Sequence, residues 1–445
     1  MTDLAIVSTF PVLLQSLSSC FTAPSFESFV TLMSGWVLNL RRHTITGAVH
    51  AAGAVGSKHI SSFHRFFSRG RWTTDGVGLT LAHLVISTLL DKHAPILLIV
   101  DDTLGRHTGK KIAAASMHRD PLMSTATKAA FHWGHLWVVL AIEVELFDRR
   151  WALPVLVRLH RSRKRCAKDG CVYRKTTEEA RALMLRMAHA YPERQFWLVA
   201  DSAYTNSSLI RNRPSNVTIF GRGRHDAILY APAPKRKPGQ IGRPRVRGKR
   251  LASPGQCAAS KNAQWKRVRV FAYGKSALVR VLVIDALWYA AAHSEFIRLV
   301  VVRGFPGHER DDVFVCTDTT VSARDVIETY ARRWSLEVTF HEAKGKLGFE
   351  EPQNRSARAV KRTAPTALFA YSLVVAWYAR IGHRTRFATA PSLPWYVEKP
   401  TVTFSDMLAT IRRASWAERL LDPTASARDL RKRIRPLVEY VSAAA

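Results

Sequence analysis

The chain has 445 residues, of which 47% are hydrophobic, with 67 Lys and Arg against 34 Asp and Glu. Such length and apolar content exclude a disordered chain and leave room for two or three domains. A formal net charge of +33 favours a polyanionic partner, because each neutralised phosphate releases counterions.

Residues 1–85 read as helical, since Phe26, Phe29, Val30 and Met33 recur at helical spacing. No Lys or Arg precedes Arg41, so the start lacks the basic n-region of a signal peptide. A basic and aromatic patch, from Phe63 through Arg65 and Arg69 to Trp72, is either the solvated face of a packed helical cap or a binding surface. Strands and helices then alternate over 86–221. Ile96–Val100 and Phe196–Ala200 are continuous apolar runs, as expected of strands buried on both faces. Trp137–Leu146 and Trp151–Leu159 read as a hairpin turning at Asp148–Arg149. Thr177–Ala190 reads as a helix capped by Thr176 or Thr177, with Glu178 and Glu179 in its first turn. Val217–Phe220 is a further short strand.

The character changes over 222–320. Ala231–Pro254 is rich in Pro, Gly and Arg and carries Lys235, Arg236, Lys237, Arg243, Arg245, Arg247, Lys249 and Arg250 without an apolar period, which predicts a mobile basic loop. Its Gly242–Arg243–Pro244–Arg245 segment resembles the core of an AT-hook, but Ile241 stands where a full hook has Arg. Minor-groove insertion and backbone contact both stay open. Trp265–Tyr273, Leu278–Leu287, Phe296–Val302 and Val313–Cys316 read as strands of a β-rich insertion. Over 321–385 the uncharged stretch Thr363–Ala379 is interrupted by Pro365, Tyr371 and Ser372 and reads as a buried helix, not a membrane span. The tail, 386–445, ends in a basic amphipathic segment near Arg428–Arg435. Cys20, Cys166, Cys171, Cys257 and Cys316 show neither metal-ligand spacing nor a disulfide framework, which suits a reducing cytoplasm.

The informative spacing is Tyr330, Arg333, Glu337 and Lys344. On one α-helix these fall within a sector of roughly 60°, while Leu336, Phe340, Ala343 and Leu347 form an opposite stripe expected to be buried. The two apolar strands lead into Asp101, followed by Asp102, and into Asp201. Carboxylates converging from two strands and a helix suit Mg²⁺, a hard ion that keeps several waters. For Asp201 the rival reading is an N-cap for a helix over Ser202–Arg211. His107, His118, His132 and His135 read as core or phosphate-contacting histidines.

This set resembles the DDE transposases of bacterial insertion sequences, and more narrowly the group whose catalytic glutamate lies in a Tyr-Arg-Glu-Lys helix. The similar segments are ILLIVDDT, FWLVADSAY and YARRWSLEVTFHEAKGKLG, and the resemblance spans about 60–380. It implies an α/β, RNase H-like mixed sheet flanked by helices. The core parts, 86–221 and 321–385, would be interrupted by the β-rich insertion 222–320. The helical domain 1–85 would bind the DNA ends, and 386–445 would be a helical tail. It implies Asp101, Asp201 and Glu337 as catalytic ligands of two Mg²⁺, with Mn²⁺ able to substitute. In this family the first aspartate lies two residues before a threonine, which favours Asp101 over Asp102 because Thr103 follows. Alternation along a strand also puts the two on opposite faces, and Asp102 remains the rival.

The resemblance further implies that Tyr330, Arg333 and Lys344 grip the DNA end, so the two cations are expected to serve DNA and not the fold; Arg243 and Arg245 would contact DNA from the loop. Trp265 and Trp288 are either core aromatics or a platform for a flipped base. The implied activity is cut-and-paste transposition through hairpin ends. Its setting is a homodimer on double-stranded DNA (inverted repeats and target) in the bacterial cytoplasm at the nucleoid, with no membrane. Two other readings are a transposase-derived DNA-binding protein without catalysis and a stand-alone metal-dependent nuclease.

Overall fold

The computed structural model describes residues 9–125, 127–236, 241–388, 401–420, 426–431, 434 and 438. Lys237 and part of the Arg428–Arg435 segment lie outside the described residues. The strands are β1 (Ile96–Arg106), β2 (Ser116–Arg119), β3 (Phe131–Leu146), β4 (Arg149–His160), β5 (Phe196–Ala200), β6 (Val217–Arg222), β7 (Lys266–Ala272), β8 (Lys275–Leu287), β9 (Phe296–Arg303) and β10 (Asp312–Cys316). They form one sheet in the order β2-β3-β1-β5-β6-β10-β9-β8-β7, with β4 also on β3. β1, β5 and β6 run parallel, and the remaining pairs are antiparallel. The run β4-β3-β1-β5-β6, an antiparallel meander continued by two parallel strands, is the RNase H-like arrangement expected from the sequence. The strands of 222–320 are present, and they continue the same sheet beyond β6 through β10 and β9.

The helices are α1 (Thr9–Leu14), α2 (Ala23–Leu38), α3 (Ile45–Ala51), α4 (Ile60–Ser68), α5 (Thr74–Leu89), α6 (Arg163–Asp169), α7 (Thr176–Ala190), α8 (Ser207–Ile210), α9 (Pro254–Ala259), α10 (Tyr289–Ala292), α11 (Ala323–Ala331), α12 (Trp334–Leu347), α13 (Ala357–Arg380) and α14 (Phe404–Leu420). Apolar side chains from α1–α5 share one hydrophobic core with the sheet and α13. Polar links reinforce that union: Trp36 Nε1 donates to the Leu347 carbonyl at 2.9 Å, and Trp377 Nε1 donates to Thr9 Oγ1 at 2.8 Å. Gly78 lets α5 lie against β4, because a Cβ there would meet the Val155 carbonyl oxygen at 2.0 Å. The apolar α13 is buried along most of its length, as its composition predicts. No described helix is long and apolar enough to cross a membrane.

Several expected boundaries shift. β1 continues to Arg106, because its antiparallel pairing with β3 holds through Arg106↔Gly134. Asp101 and Asp102 are therefore mid-strand residues, not a strand end. The β3–β4 turn is Phe147–Asp148, since Leu146 pairs with Arg149. Both turn residues have positive φ, 54° and 56°, the handedness a two-residue hairpin demands. The α7 N-cap is Lys175, whose N–H donates to Glu178 at 2.8 Å, so the two threonines lie inside the helix. No helix spans Ser202–Arg211; turns there lead into the short α8.

The largest departure is in the Tyr-Arg-Glu-Lys segment, which is two helices. Between α11 and α12, N–H groups of Arg332, Arg333, Ser335 and Leu336 bond three residues back, to Thr329, Tyr330, Arg332 and Arg333. This tightened 3₁₀ turn breaks the uniform 100° progression on which a single stripe depends.

Candidate catalytic carboxylate site

The parallel ladder between β1 and β5 ends at Val100↔Ala200. Asp101 and Asp201 are the next residues on the two strands, so the register sets them side by side. β1 stays paired on its other edge, with Asp101 opposite Val139, while the chain after β5 turns away. In that turn Asp201 Oδ1 accepts the N–H groups of Ala203 at 2.9 Å and Tyr204 at 3.1 Å. Its carbonyl accepts Thr205 Oγ1 at 2.6 Å. The capping geometry of Asp201 is therefore real, but it stabilises a turn and does not start a helix.

The two β1 carboxylates face different neighbours, as strand alternation requires. Asp102 Oδ2 accepts the Tyr204 hydroxyl at 2.5 Å. Asp101 Oδ2 pairs with Arg333 at 2.6 Å, and the other arm of Arg333 reaches Glu337 Oε1 at 2.5 Å. One guanidinium thus bridges a strand carboxylate and a helix carboxylate. Glu337 lies in the first turn of α12, where unsatisfied N–H groups favour negative charge. The helix break separates two adjacent arginines: Arg332 turns to the buried Glu143 at 3.3 Å, and Arg333 enters the site.

The α12 face opposite the site is anchored as its apolar spacing predicts. Leu336, Phe340, Ala343 and Leu347 are buried, and Thr339 Oγ1 donates to the Ala152 carbonyl on β4 at 2.8 Å. Lys344 donates to the Leu104 carbonyl on β1 at 2.8 Å and lies 3.3 Å from Glu350. Arg333 and Lys344 therefore both support the fold, contrary to the expectation that they serve DNA alone. Tyr330 is buried against Phe314, with ring centroids 4.8 Å apart. Burial raises its pKa, against the fields of Arg333 and Arg222 and with that of Asp201, which sets its hydroxyl among the charges of the site.

Electrostatics mark Asp101. Burial pushes its carboxyl up to about 7; Arg333 works against this, and Asp102 and Asp201 reinforce it. Burial also raises Asp102, opposed by the Tyr204 hydrogen bond. Burial works against the charge on Arg333, but Asp101 and Glu337 outweigh it and hold the guanidinium protonated. Its Nε is buried and unpartnered. Among the described residues, no three His, Cys, Asp or Glu side chains are grouped closely enough to form a ready-made metal cage. The donor set still suits a hard divalent ion: oxygen ligands only, with a desolvated carboxylate that one arginine does not fully neutralise.

Other sequence candidates divide between surface and core. Arg243 and Arg245 are exposed on the basic loop. That loop is closed at its base, where Tyr230 bridges to Arg250 and to Leu287. Arg247 is stacked over Tyr230 and Tyr289, 4.3 and 4.6 Å from the ring centroids. Trp265 lies under Arg303 at 4.4 Å, and Trp288 is buried. His118 and His135 are buried, and desolvation pushes each down to about 4, as befits neutral core imidazoles. Sequence reasoning missed Tyr204 as the partner of Asp102, although the tyrosine is visible three residues after Asp201. A polar cavity of about 440 Å³, lined in part by Asp75, Arg158, Arg161 and Lys361, includes none of the three carboxylates.

A family model described as DDE superfamily endonuclease matches residues 16–280, more than half of the 445-residue chain. The matched span contains Asp101 and Asp201, and Glu337 lies beyond it. No curated protein is significantly similar to the chain.

Proposed function

The chain belongs to the DDE superfamily of endonucleases, and on that premise we propose that it is the transposase of a bacterial insertion sequence, of the Tyr-Arg-Glu-Lys group. The observation that carries this reading is the Arg333 bridge, which ties the carboxylate two residues before Thr103 to the carboxylate of the motif. Asp101, Asp201 and Glu337 would hold the metal, two Mg²⁺ in this reading, with Mn²⁺ able to substitute. When bound, such ions activate water and stabilise the leaving oxygen of a phosphodiester. Asp101, poorly neutralised in the free protein, is the ligand with most to gain. Arg333 pairs with Asp101 and Glu337, and its guanidinium would be placed to grip a DNA phosphate beside them. Tyr330 holds the guanidinium from the side of β10. Lys344 fixes α12 to β1, so its effect on the DNA end is mainly through positioning Glu337.

The DNA substrate is the double-stranded inverted repeat of the element and then its target, bound by a homodimer at the bacterial nucleoid in the cytoplasm. Helices of 1–85 and the loop arginines Arg243 and Arg245 supply contacts to the ends. Water cuts one strand, and the freed 3′-hydroxyl attacks the opposite strand to give a hairpin end, later reopened and joined to target DNA. The test is to incubate the protein and Mg²⁺ with duplexes taken from the DNA flanking the reading frame. Nicks followed by hairpins on a denaturing gel are expected at terminal inverted repeats. Nicks without hairpins or joining favour a stand-alone nuclease. Binding without cutting favours a non-catalytic DNA-binding protein.

A further inference from the structure

β1 carries Asp101 and runs on, through Arg106↔Gly134↔Ser116, into the β2–β3 hairpin. The connection at its tip holds apolar side chains out into solvent: Leu122 is 82% exposed and Met123 57%, beside Phe131 at 56% on β3. Exposed apolar groups of this size are common singly, but clustered on a projecting hairpin they mark a contact surface. A loose loop would fold them inward. This one cannot, because its polar groups are committed to holding its shape. The buried Asp120 takes Arg106 at 2.6 Å and the Leu122 N–H at 3.1 Å, with the His132 ring close by. Ser124 Oγ donates to the Asp120 carbonyl at 2.6 Å and accepts from the Ala130 N–H at 3.0 Å. The Thr125 N–H donates to the Lys128 carbonyl at 2.9 Å. Asp120 also removes the acidic charge from the surface. The exposed charged residues of the connection and of β2 are basic, Arg119 and Lys128, and Lys110 and Lys111 on the β1–β2 connection add to them. A second copy of this hairpin would meet it with like charge.

We propose that the β2–β3 hairpin is a DNA wedge, in which Lys110, Lys111, Arg119 and Lys128 engage duplex phosphates while Leu122 and Met123 press between base pairs and unstack them. Apolar side chains on a basic frame are a known way to kink DNA through its minor groove. The inference rests on the reading of the Asp101 site as a DNA-cleaving centre and adds a second contact on the same duplex. It also sets a limit. From Asp101 to Arg106, on to the end of β2 and then to Met123, is about twelve residues or at most ~40 Å. At ~3.4 Å per base pair the wedge acts no farther than about twelve base pairs from the cut bond.

The experiment uses the full chain in EDTA on 200-bp duplexes from the DNA flanking the reading frame, with permanganate to report unstacked thymines. The wild-type protein is expected to create hyperreactive thymines within about twelve base pairs of the site that it cuts in Mg²⁺. The double variant Leu122→Ser/Met123→Ser should melt like wild type, bind roughly tenfold more weakly and lose the hyperreactivity. Lys110→Ala/Lys111→Ala should keep the hyperreactivity at saturation and lower the salt dependence by up to about two counterions. A serine variant that keeps both affinity and reactivity overturns the wedge. So does one whose only change is loss of a DNA-free dimer in sedimentation, which would assign the tip to self-association. The two readings fail separately. If wild type binds and cuts through Glu337 but the serine variant is normal, only the wedge fails; if wild type neither binds nor cuts, the cleavage reading fails with it.

Discussion

Asp101, half-buried on β1, and Asp120, buried just after β2, each face an arginine, and they end in opposite electrostatic states. Around Asp120, desolvation is outweighed by Arg106 and by backbone N–H donors, and the carboxyl titrates below its usual range. Around Asp101, desolvation wins: Arg333 is shared with Glu337, Asp102 and Asp201 add repulsion, and the carboxyl rises to about 7. The number of donors makes the difference. Asp120 has a guanidinium of its own and main-chain N–H groups on its carboxylate. Asp101 has half an arginine and the Asp102 N–H. A satisfied carboxylate stabilises a fold, whereas an underneutralised one in a carboxylate cluster is poised for a cation that arrives later.

The sharpest way to break this comparison is to remove charge from the underneutralised cluster and look for loss of chemistry. Glu337→Gln is nearly isosteric, and its amide oxygen can still accept from Arg333, so it should fold normally. Single-turnover strand cutting should nonetheless fall on the order of 10³-fold, the scale for removal of one transition-state stabilising group. Asp120→Asn should do the reverse. It leaves Arg106 and His132 facing an amide, and denaturant unfolding should show a loss of about 2 kcal/mol, below the usual cost of breaking a buried pair because Arg106 is partly solvated. Phosphodiester cutting per bound complex should stay near wild type. Equal damage to cutting from both substitutions would erase the distinction.

Much of this site was legible before the fold, and the illegible parts have physical reasons. Ile96–Val100 and Phe196–Ala200 are apolar throughout because both faces of these central strands are covered, and the β1–β5 register sets the aspartates after the two runs side by side. The continuation of β1 was hidden because Asp101, Asp102 and Thr103 are polar, and nothing local reveals that β3 pairs with them. The break before α12 was hidden because a 3₁₀ turn keeps the chain helical, turning it about 20° more per residue, and leaves the apolar i, i+4 pattern of Leu336 and Phe340 intact. Asp120 gave no signal at all: its partners Arg106 and His132 lie on other strands, and only the register brings them to it.

Titration sharpens the comparison at smaller cost. A carboxyl whose folded pKa is raised binds its proton more tightly when folded. Ionising Asp101 therefore subtracts stability as pH rises from its unfolded value, about 4, through about 7. Asp120 has the opposite sign: its contribution is full above about pH 4 and is lost as pH falls through its lowered folded pKa. Asp101→Asn should consequently melt like wild type near pH 4 and above it at pH 8, by about 1 kcal/mol, with Mg²⁺ narrowing the gap by stabilising wild type alone. A gap of the same size at both pH values would contradict the assignment. The smallest effect belongs to the basic loop. Arg243→Ala/Arg245→Ala should leave the melting temperature unchanged and reduce the salt slope of duplex binding by up to about two. Arg247→Ala should cost about 1 kcal/mol of stability through its stacking on Tyr230 and Tyr289.

The central claim is that Asp101, and not Asp102, joins Asp201 and Glu337 at the metal. Its most direct measurement is Mn²⁺ binding by electron paramagnetic resonance on the full chain, comparing Asp101→Asn with Asp102→Asn. Asp101 shares Arg333 with Glu337, whereas Asp102 is held by Tyr204. Asp101→Asn should weaken Mn²⁺ binding at least tenfold, while Asp102→Asn stays within about threefold of wild type. Loss of binding in Asp102→Asn with normal binding in Asp101→Asn would contradict the account.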